Sequence, residues 1–508
     1  YAGCGHFTST CRTVFTTTVG GQKPALHFLS QGEVSTLGPL MAPDLTSASQ
    51  AVLVQRVLAG DDSLIPGFFR PALGGIDRST VAIIPASGLV QPSDRPMVAY
   101  VGADDGMMHA ICMETKGACD IIGRELWAFL PRTALSTVRY NNVHIDGSPH
   151  VIDSYGDFTN SGERKWTTLL FFQTGSGDTT GNERKPAVYA LDVSNPANPI
   201  VAWEYSMTDV GARGGFELGV GLTLSAGRVQ ASIGSKTLVF AQTNNGGTAG
   251  SGDVVTAINA ETGLMEWQDG YAFTTALRSG GSSIPSLTGI PGGAVALDKL
   301  NTGYITDVTW GTLYGDLWMV DPLTGASRYG AGKPLFRFST DNHPIGAKPA
   351  IYWRGSIPVA VITTGGYVDT YPSDTNWSPA SVTNYAIGVN LTTPVADATI
   401  NENKTPVGGT GDIQFKLAFG TGERGIAQAT VVNQQVYITT DTGDTNNNTN
   451  PGAYGTTGGA TGHVYSVNVS GTTATFGTTV VVEGGATSVA ALKNGLYVGS
   501  SDQQQRLG

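Results

Sequence analysis

The chain has 508 residues, of which only 14 % are charged, and it contains 69 glycines. The charged fraction lies well below the usual quarter and glycine is at about twice its average share, which is typical of strand-and-turn proteins rather than helical cytosolic enzymes. The formal net charge of −11 argues against nucleic acid as a partner, since phosphates would be repelled. No apolar run approaches the length of a membrane span. A first residue other than Met predicts a processed or excised chain, so the absence of a signal peptide carries no information.

Residues 1–75 contain few strand-forming runs, and we expect a lead-in segment that wraps a domain formed by residues 76–508. One helix is predicted in the lead-in, over Ser47–Ala59, because Ala, Leu, Gln and Arg outnumber the three valines there. Ser47 and Gln50 fit a capping box at its start, and Gly60 fits the C-terminal stop.

The four cysteines form two pairs of equal spacing, Cys4 with Cys11 and Cys112 with Cys119. Two short-range disulfides are predicted, as expected of an exported protein. For the first pair there is an alternative, a metal site that includes His6, because Cys-x-His…Cys supplies three ligands. A structural zinc site needs a fourth ligand that the sequence does not offer, so the disulfide interpretation is preferred.

The stretch after residue 96 predicts three antiparallel strands. Two apolar runs, Met97–Val101 and Met107–Ile111, flank the pair Asp105 and Gly106, and a third run covers Glu125–Leu130. Asp-Gly between apolar runs predicts a hairpin with a tight primed turn.

Similar units recur along the chain. They share a strand that ends in Ala-Leu-Asp, Ala-Ile-Asn, Met-Val-Asp or Ser-Val-Asn before a turn, and several continue into a strand that contains Trp. They lie in Pro186–Tyr205, Asp253–Gln268, Thr309–Arg328 and Gly462–Asn468. Further buried strands are predicted in Thr167–Thr174, Leu238–Thr243, Val359–Thr364 and Gln435–Thr440, and Val489–Ser500 is predicted to be a hairpin with Asn-Gly between two short strands. About seven units at irregular spacings of roughly 35–65 residues predict an all-β fold, a β-propeller of four-stranded blades. A β-sandwich of unrelated hairpins is the alternative.

Two long loops interrupt the strand pattern, at Tyr367–Asn384 and Asp441–Gly462, and loops of this length are usually functional or mobile. The second loop contains a dense set of side-chain oxygens that could bind a metal ion. They belong to Asp441, Asp444, Asn446 and Asn448. A solvated turn without metal is the alternative.

Several phrases in order resemble the C-terminal propeller of the PilY/PilC-type adhesins of type IV pili. That family has Y-V-G-A-N-D-G-M-L-H-A-F followed by G-x-E-L-W-A-Y-x-P. Here the two phrases read YVGADDGMMHAI from Tyr100 and GRELWAFLP from Gly123. The phrases VHIDGSPHVID, WTTLLFFQTGSG, YALDVSNP with AWEYS, and LYGDLWMVDP follow in the family's order. The match covers Ile83–Pro322, and the remainder resembles generic blades.

The resemblance implies an exported, non-enzymatic protein at the pilus tip, on the extracellular side of the cell. Its implied partners are minor pilins, and its implied roles are pilus assembly, control of retraction and attachment to a surface whose ligand the sequence does not name. The adhesive region of this family lies N-terminal to the propeller, which is consistent with an excised fragment or a short member.

Calcium is the cofactor that the resemblance implies, held by a loop of the form D-x-D-x-D-G-x-x-D before the G-x-L-W strand. The corresponding residues here are Asp298, Leu300, Thr302, Gly303 and Thr306, so only the first Asp and the Gly match. The neighbouring Asn301 and Asp307 could replace the missing ligands if the register shifted. With so few carboxylates the sequence predicts a turn that keeps its shape without metal, and at most a weak calcium site.

Two other functions remain as alternatives, a glycan-binding lectin and a quinone-dependent dehydrogenase. The second resembles this chain only in fold, and the sequence has no adjacent cysteine pair, nucleophile elbow or phosphate loop. His109 and His144 are interpreted as structural polar residues rather than bases. The tryptophans at strand positions are interpreted as blade packing rather than a sugar platform; they are Trp127, Trp203, Trp267 and Trp318.

Overall fold

The computed structural model shows an all-β protein whose residues group into two compact units, Tyr1–Thr248 with Thr256–Trp267, and Ala249–Val255 with Gln268–Gly508. The structure describes residues 12–59, 73–76, 79–92, 94–140, 145, 147–174, 187–206, 224–244, 253–269, 290, 292–312, 315–330, 333–339, 343–365, 382–392, 400–404, 406, 411–425, 427–442, 461–471, 473–483, 486–492, 495–500 and 504–506.

The helical segments of the described residues all lie in the first unit. The α-helices are α1 (Val34–Met41) and α2 (Ser47–Ala59), and the 3₁₀ turns are Gln31–Glu33, Arg132–Ala134 and Val138–Tyr140.

The strands of three sheets lie wholly or mainly in the first unit, with the start of the strand Asp253–Asn259 and the end of the strand Met265–Asp269 assigned to the second. They are β1 (Val14–Thr17), β2 (Gly21–Gln22), β3 (Leu26–Phe28), β4 (Ala82–Ile84), β5 (Val98–Gly102), β6 (Met108–Cys112), β7 (Glu125–Phe129), β8 (His150–Gly156), β9 (Lys165–Gln173), β10 (Ala187–Asp192), β11 (Ile200–Ser206), β12 (Ser225–Gln230), β13 (Ser235–Asn244), β14 (Asp253–Asn259) and β15 (Met265–Asp269). Sheet 1 has the order β3-β1-β7-β6-β5-β4, sheet 2 the order β2-β11-β10-β9-β8, and sheet 3 the order β12-β13-β14-β15.

The second unit contains the remaining strands. They are β16 (Val295–Leu297), β17 (Asp307–Gly311), β18 (Asp316–Val320), β19 (Phe336–Arg337), β20 (Ala350–Arg354), β21 (Ile357–Thr363), β22 (Tyr385–Asn390), β23 (Ile413–Ala418), β24 (Arg424–Gly425), β25 (Thr430–Val432), β26 (Gln435–Asp441), β27 (Thr461–Asn468), β28 (Thr475–Phe476), β29 (Val480–Glu483), β30 (Ala486–Leu492), β31 (Gly495–Ser500) and β32 (Gln504–Arg506). Sheet 4 runs β16 to β19, sheet 5 runs β20 to β23, sheet 6 has the order β24-β26-β27-β28 with β25 on β26 and β29 on β27, and sheet 7 runs β30 to β32.

The core is divided into layers between successive sheets of each unit. In the first unit, Phe172 of β9 packs towards sheet 1 while its neighbour Phe171 packs towards sheet 3. Successive residues of a strand point to opposite faces, so a run of buried apolar residues such as LLFF requires a cover on both sides. Sheets 4 to 7 are packed in the same manner in the second unit. This layering is consistent with the predicted propeller, and the all-β class is confirmed.

The Asp or Asn residues that recur at the end of the third strand in sheets 2 to 6 have a common structural role. Each side-chain Oδ1 accepts a hydrogen bond from the backbone N–H two residues later, at 2.8–2.9 Å. These bonds run from Ser194 to Asp192, from Glu261 to Asn259, from Leu323 to Asp321, from Thr392 to Asn390 and from Ser470 to Asn468. Such turns satisfy a backbone donor where the ladder ends, which explains why the phrase recurs.

Segments from outside the four-stranded pattern pair with the edges of three sheets. Strand β1 pairs in parallel with β7, and β2 pairs with β11. In the second unit the Ile400 backbone pairs in parallel with Phe336 of β19. An open edge offers unpaired backbone groups to other chains, so these additions protect the sheets.

The local structure differs from the sequence prediction in three details. The β5–β6 hairpin is confirmed, but only Gly106 of its turn has a positive φ, whereas a primed turn requires a positive φ at Asp105 as well. Helix α2 has the predicted bounds, but its capping box does not form. Thr46 accepts the N–H of Ser49, and the Gln50 amide donates to the carbonyl groups of Ala42 and Leu45. Helix α1 was not predicted, and Pro39 lies inside it.

Candidate functional site

Four charged side chains meet below the β5–β6 turn and form what we call the Arg12 cluster: Arg12, Asp105, His109 and Glu125. His109 is fully buried, and its Nδ1 lies 2.6 Å from Glu125 Oε1 while its Nε2 lies 3.0 Å from Asp105 Oδ1. Arg12 donates to both oxygens of Glu125, at 2.7 and 3.1 Å, and lies 3.5 Å from Asp105. Asp105 and His109 belong to the first family phrase and Glu125 to the second, so the cluster joins the two phrases that carry the resemblance.

The electrostatics of the cluster keep His109 protonated. Burial alone would lower the pKa of His109, but the neighbouring charges of Asp105 and Glu125 outweigh it and raise the pKa from 6.5 to about 9. Burial opposes ionisation of Glu125, yet its hydrogen bond with His109 and the charge of Arg12 lower its pKa. Two cations therefore face two carboxylates out of contact with solvent.

The cluster is suited to holding the fold rather than to catalysis. His109 has no exposed surface, so a substrate cannot reach its ring nitrogens. Arg12 also approaches the Val57 carbonyl of α2 at 3.4 Å, which ties the helix and the strand β7 to one guanidinium. This agrees with the prediction that His109 is a structural residue. His144 lies outside the described residues.

The second pair of cysteines forms the predicted disulfide between Cys112 and Cys119. Cys112 ends β6, the third strand of the sheet 1 pattern, where sheets 2 to 6 carry the Asp or Asn of the repeated turn. In sheet 1 the covalent link thus closes the loop that a side-chain hydrogen bond closes elsewhere. The pair Cys4 and Cys11, with His6, lies outside the described residues.

The loop predicted as a degenerate calcium site is folded around Asp298. Its carboxylate accepts the backbone N–H of Thr302 at 3.0 Å and that of Gly303 at 2.6 Å. Asn301, the possible replacement ligand, has a positive φ of 52° within this turn.

The carboxylate of Asp307 has different partners, because Lys299 lies 3.2 Å and Arg328 2.9 Å from its oxygens. The structure thus pairs the buried Asp307 carboxylate with two partly exposed cations and leaves Asp298 to hold the turn. Whether the loop binds calcium stays a prediction.

A second loop has the same construction, and the sequence analysis missed it. Asp157 accepts the N–H groups of Ser161 and Gly162, and these bonds, the Ser161 bond first, lower its pKa. Asn160 has a φ of 49°, close to that of Asn301. The signal was present in the sequence as a repeated Asp-x-x-Asn-[Ser/Thr]-Gly, DFTNSG and DKLNTG. Both loops connect the first and second strands of their sheets, so the turn belongs to the repeat.

The other predicted metal ligands are only partly described. Asp441 ends β26, opposite Gly462 of β27, while Asp444, Asn446 and Asn448 lie outside the described residues. Within the part of the chain that the structure describes, no group of three or more His, Cys, Asp and Glu side chains is arranged to hold a metal ion. Calcium binding in this loop likewise stays a prediction.

The four predicted tryptophans are buried in the strand layers, as expected for packing. The indole N–H of Trp127 donates to the Pro196 carbonyl at 2.6 Å, and that of Trp203 donates to the Ala260 carbonyl at 2.8 Å. They are therefore not a surface platform for sugars. Among the described helices, none is long and apolar enough to cross a bilayer.

The sequence comparison finds relatives that are named type IV pilus biogenesis factors. The chain is 28 % identical over 263 residues to a type IV pilus biogenesis factor PilY1 homolog of Xylella fastidiosa, a match that covers 49 % of this chain and 18 % of the relative. It is 27 % identical over 240 residues to the type IV pilus biogenesis factor PilY1 of Pseudomonas aeruginosa, covering 44 % of this chain and 17 % of the relative. The chain thus spans less than a fifth of the length of these curated relatives. No protein-family model matches it.

The fold comparison agrees with the sequence comparison. The crystal structure of the Pseudomonas aeruginosa PilY1 C-terminal domain matches with a TM-score of 0.53 and 19 % identity, over 82 % of this chain and 93 % of that domain. At this identity the match establishes the fold alone. Taken with the sequence matches, it confirms the resemblance that the ordered phrases indicated: this chain is similar in sequence and in fold to the C-terminal domain of the PilY1-type proteins.

Proposed function

We propose that the chain is a type IV pilus-associated module that acts at the pilus tip or outer cell surface. The observation that carries this proposal is the 28 % identity over 263 residues to a protein named a type IV pilus biogenesis factor. The Arg12 cluster adds support, because it gives the two most similar phrases a shared structural purpose. The relatives' names describe a biogenesis factor, which favours a binding role over a catalytic one.

In this role the module would bind minor pilins, support pilus assembly and contribute to surface attachment. Loops positioned by a rigid strand scaffold commonly carry such binding functions. An extracellular site of action also suits the Cys112–Cys119 disulfide, since disulfides persist in oxidising compartments.

The pilin partnership can be tested with the purified full chain. Biolayer interferometry would measure its binding to the soluble domain of each minor pilin of the source bacterium, with the major pilin as the control. We expect saturable binding to at least one minor pilin and none to the major pilin. Binding to neither, or equal binding to both, would overturn the partner proposal.

The assembly role needs an experiment in cells. A strain lacking the gene should carry fewer surface pili and attach less, and the wild-type gene should restore both. A strain with unchanged pilus number and attachment would contradict the proposal. The absorbance spectrum of the purified protein tests the quinone-enzyme alternative, because a bound quinone is coloured.

A further inference from the structure

The β8–β9 hairpin ends in a cross-strand pair of aromatic residues, the exposed Tyr155 and the partly buried Trp166. Tyr155 is 48 % exposed and stands opposite Trp166 in the strand register. The two ring centroids lie 5.9 Å apart with an interplanar angle of 61°, and the Arg164 guanidinium lies 5.8 Å from the Tyr155 centroid. Exposed apolar surface that is rimmed by polar residues is a common feature of ligand-binding sites.

The pair is fixed in position rather than carried on a free loop. The Asp157 carboxylate holds the hairpin turn through the N–H groups of Ser161 and Gly162. Glu261 then links the turn to sheet 3, because it pairs with Arg164 at 2.7 Å and accepts the N–H of Asp157 at 3.1 Å. Binding of a ligand would therefore cost little free energy for ordering this surface.

Polar groups lie on the same face of the hairpin, on each strand two residues farther from the turn. Strand alternation places Asp153 beside Tyr155 and Thr168 beside Trp166. Thr168 Oγ1 donates to Asp153 Oδ1 at 2.6 Å and accepts a hydrogen bond from Arg95 Nη1 at 2.5 Å. The Ser87 hydroxyl donates to the other Asp153 oxygen.

This polar network is buried on one side and partly exposed on the other. Arg95 and Thr168 are buried, whereas Ser87 and Asp153 are only partly buried. Both oxygens of the Asp153 carboxylate are therefore oriented by donors, Thr168 on one and Ser87 on the other, and the residue keeps part of its surface exposed.

We propose that this surface is a saccharide site, with a neutral pyranose ring as its ligand. The polarised C–H face of a sugar is attracted to the negative face of an aromatic ring, and Tyr155 and Trp166 supply such rings. Two residues along a strand span about 7 Å, a distance over which hydroxyl groups of a stacked sugar reach Asp153 and Ser87. The inference rests on these side chains and is independent of the pilus role.

A glycan array probed with the full chain, followed by isothermal titration calorimetry with each soluble saccharide that binds, tests the site. We expect saturable binding that is at least tenfold weaker in Trp166→Ala and in Tyr155→Ala. Trp353→Ala is the matched control, because Trp353 is a half-buried tryptophan of β20 in the other unit; its binding should equal that of the wild type. Unfolding temperatures identify variants that lose binding through misfolding, and Trp166→Phe, which keeps an aromatic ring, should retain most of the affinity.

Three results would overturn the proposal. One is an array on which no saccharide binds saturably. Another is an equal loss of binding in Trp166→Ala and Trp353→Ala. The third is binding of the apolar dye ANS at Trp166 without any saccharide competing for it, which would identify a general apolar patch instead.

Discussion

At the scale of the residue, His109 is the side chain whose chemistry the fold changes most clearly. A histidine is usually half protonated near pH 6.5, but between Asp105 and Glu125 it keeps its proton up to about pH 9. The cluster therefore behaves as a permanent ion pair group over the physiological range. Removing one member would leave a buried charge without its partner, which is far more costly than the net worth of the group.

The stability of the protein should depend on pH through His109. Its folded-state pKa lies above the ordinary value, so its contribution is fully present below pH 6.5 and is lost as the pH rises through about 9. We expect the unfolding temperature of the wild type to fall over this window, and this part of the fall to be absent in His109→Gln. The measurement is thermal unfolding at a series of pH values.

Burial lowers the pKa of Lys348 from 10.5 to about 8, so its contribution makes the unfolding temperature rise with pH, in the wild type and in His109→Gln alike. The comparison of the two proteins therefore removes the contribution of Lys348. Glu125 acts at the acidic side: its lowered pKa stabilises the fold above about pH 4.5, and that contribution is lost as the pH falls. If the unfolding temperatures of the wild type and of His109→Gln changed equally between pH 7 and 10, His109 would not carry the proton.

Gln434 offers a test of backbone strain. Asn433 and Gln434 connect β25 to β26 as a two-residue loop, and both have positive φ, at 47° and 63°. The second position of such a turn favours Gly, because any Cβ is crowded there. We expect Gln434→Gly to stabilise the protein by about 0.5–1 kcal/mol, measured by urea unfolding. Gln435→Gly, one residue later in β26, is the control and should destabilise it.

At the scale of the element, sheet 1 departs from the repeat by closing its third turn with a disulfide. We expect the double variant Cys112→Ser, Cys119→Ser to lose about 2 kcal/mol of unfolding free energy, the amount predicted for a short closed loop. Urea unfolding with and without reductant measures the loss. Reductant should lower the stability of the wild type towards that of the double variant. Any further effect of reductant on the double variant reports on Cys4 and Cys11. A double variant with the same unfolding free energy as the wild type would show that the Cys112–Cys119 disulfide does not stabilise the fold.

The Asp298 loop is expected to keep its shape without calcium. Its carboxylate is occupied by backbone N–H groups, and Asp307 is neutralised by Lys299 and Arg328. Charge count sets calcium affinity, so a chelator should leave the unfolding temperature nearly unchanged. The comparison is thermal unfolding with about millimolar calcium and with chelator, for the wild type and Asp298→Ala.

Two outcomes would contradict this expectation. A large drop with chelator that disappears in Asp298→Ala would show that the loop binds calcium after all. A drop that persists in the variant would direct attention to the loop after Asp441. The Asp157 loop, with the same turn, gives a matched variant in Asp157→Ala.

At the scale of the whole molecule, we predict that the sheets close into a ring of about seven blades. Inner strands such as β9 and β21 are buried on both faces, which requires a neighbour on each side. A crystal or cryo-electron microscopy structure of the full chain measures this directly. Two stacked sheets in place of a ring would contradict it.

The parts of the fold that could be predicted from the sequence are those determined by local pattern. Strand runs such as VAYVG and LLFF, the Asx turns after the third strands, and the α2 helix follow from alternation, turn chemistry and propensity. The Arg12 cluster could not be predicted as a cluster, because Arg12 and Glu125 are separated by 113 residues and meet only through tertiary packing. Helix α1 was missed because Gly38 and Pro39 disfavour a helix, and its packing against the α2 face overrides that preference.

The pairing of β1 with β7 and of β2 with β11 has a consequence for the order of folding. Residues 12–22 are synthesised before every strand they pair with, and Glu125 is synthesised 113 residues after its partner Arg12. Hairpins such as β5–β6 close over a few residues and form quickly, whereas these long-range pairings must await complete sheet edges. We therefore expect the pairings of β1 with β7 and of β2 with β11 to form only after sheets 1 and 2 are assembled, whereas β1 can pair with the nearby β3 earlier.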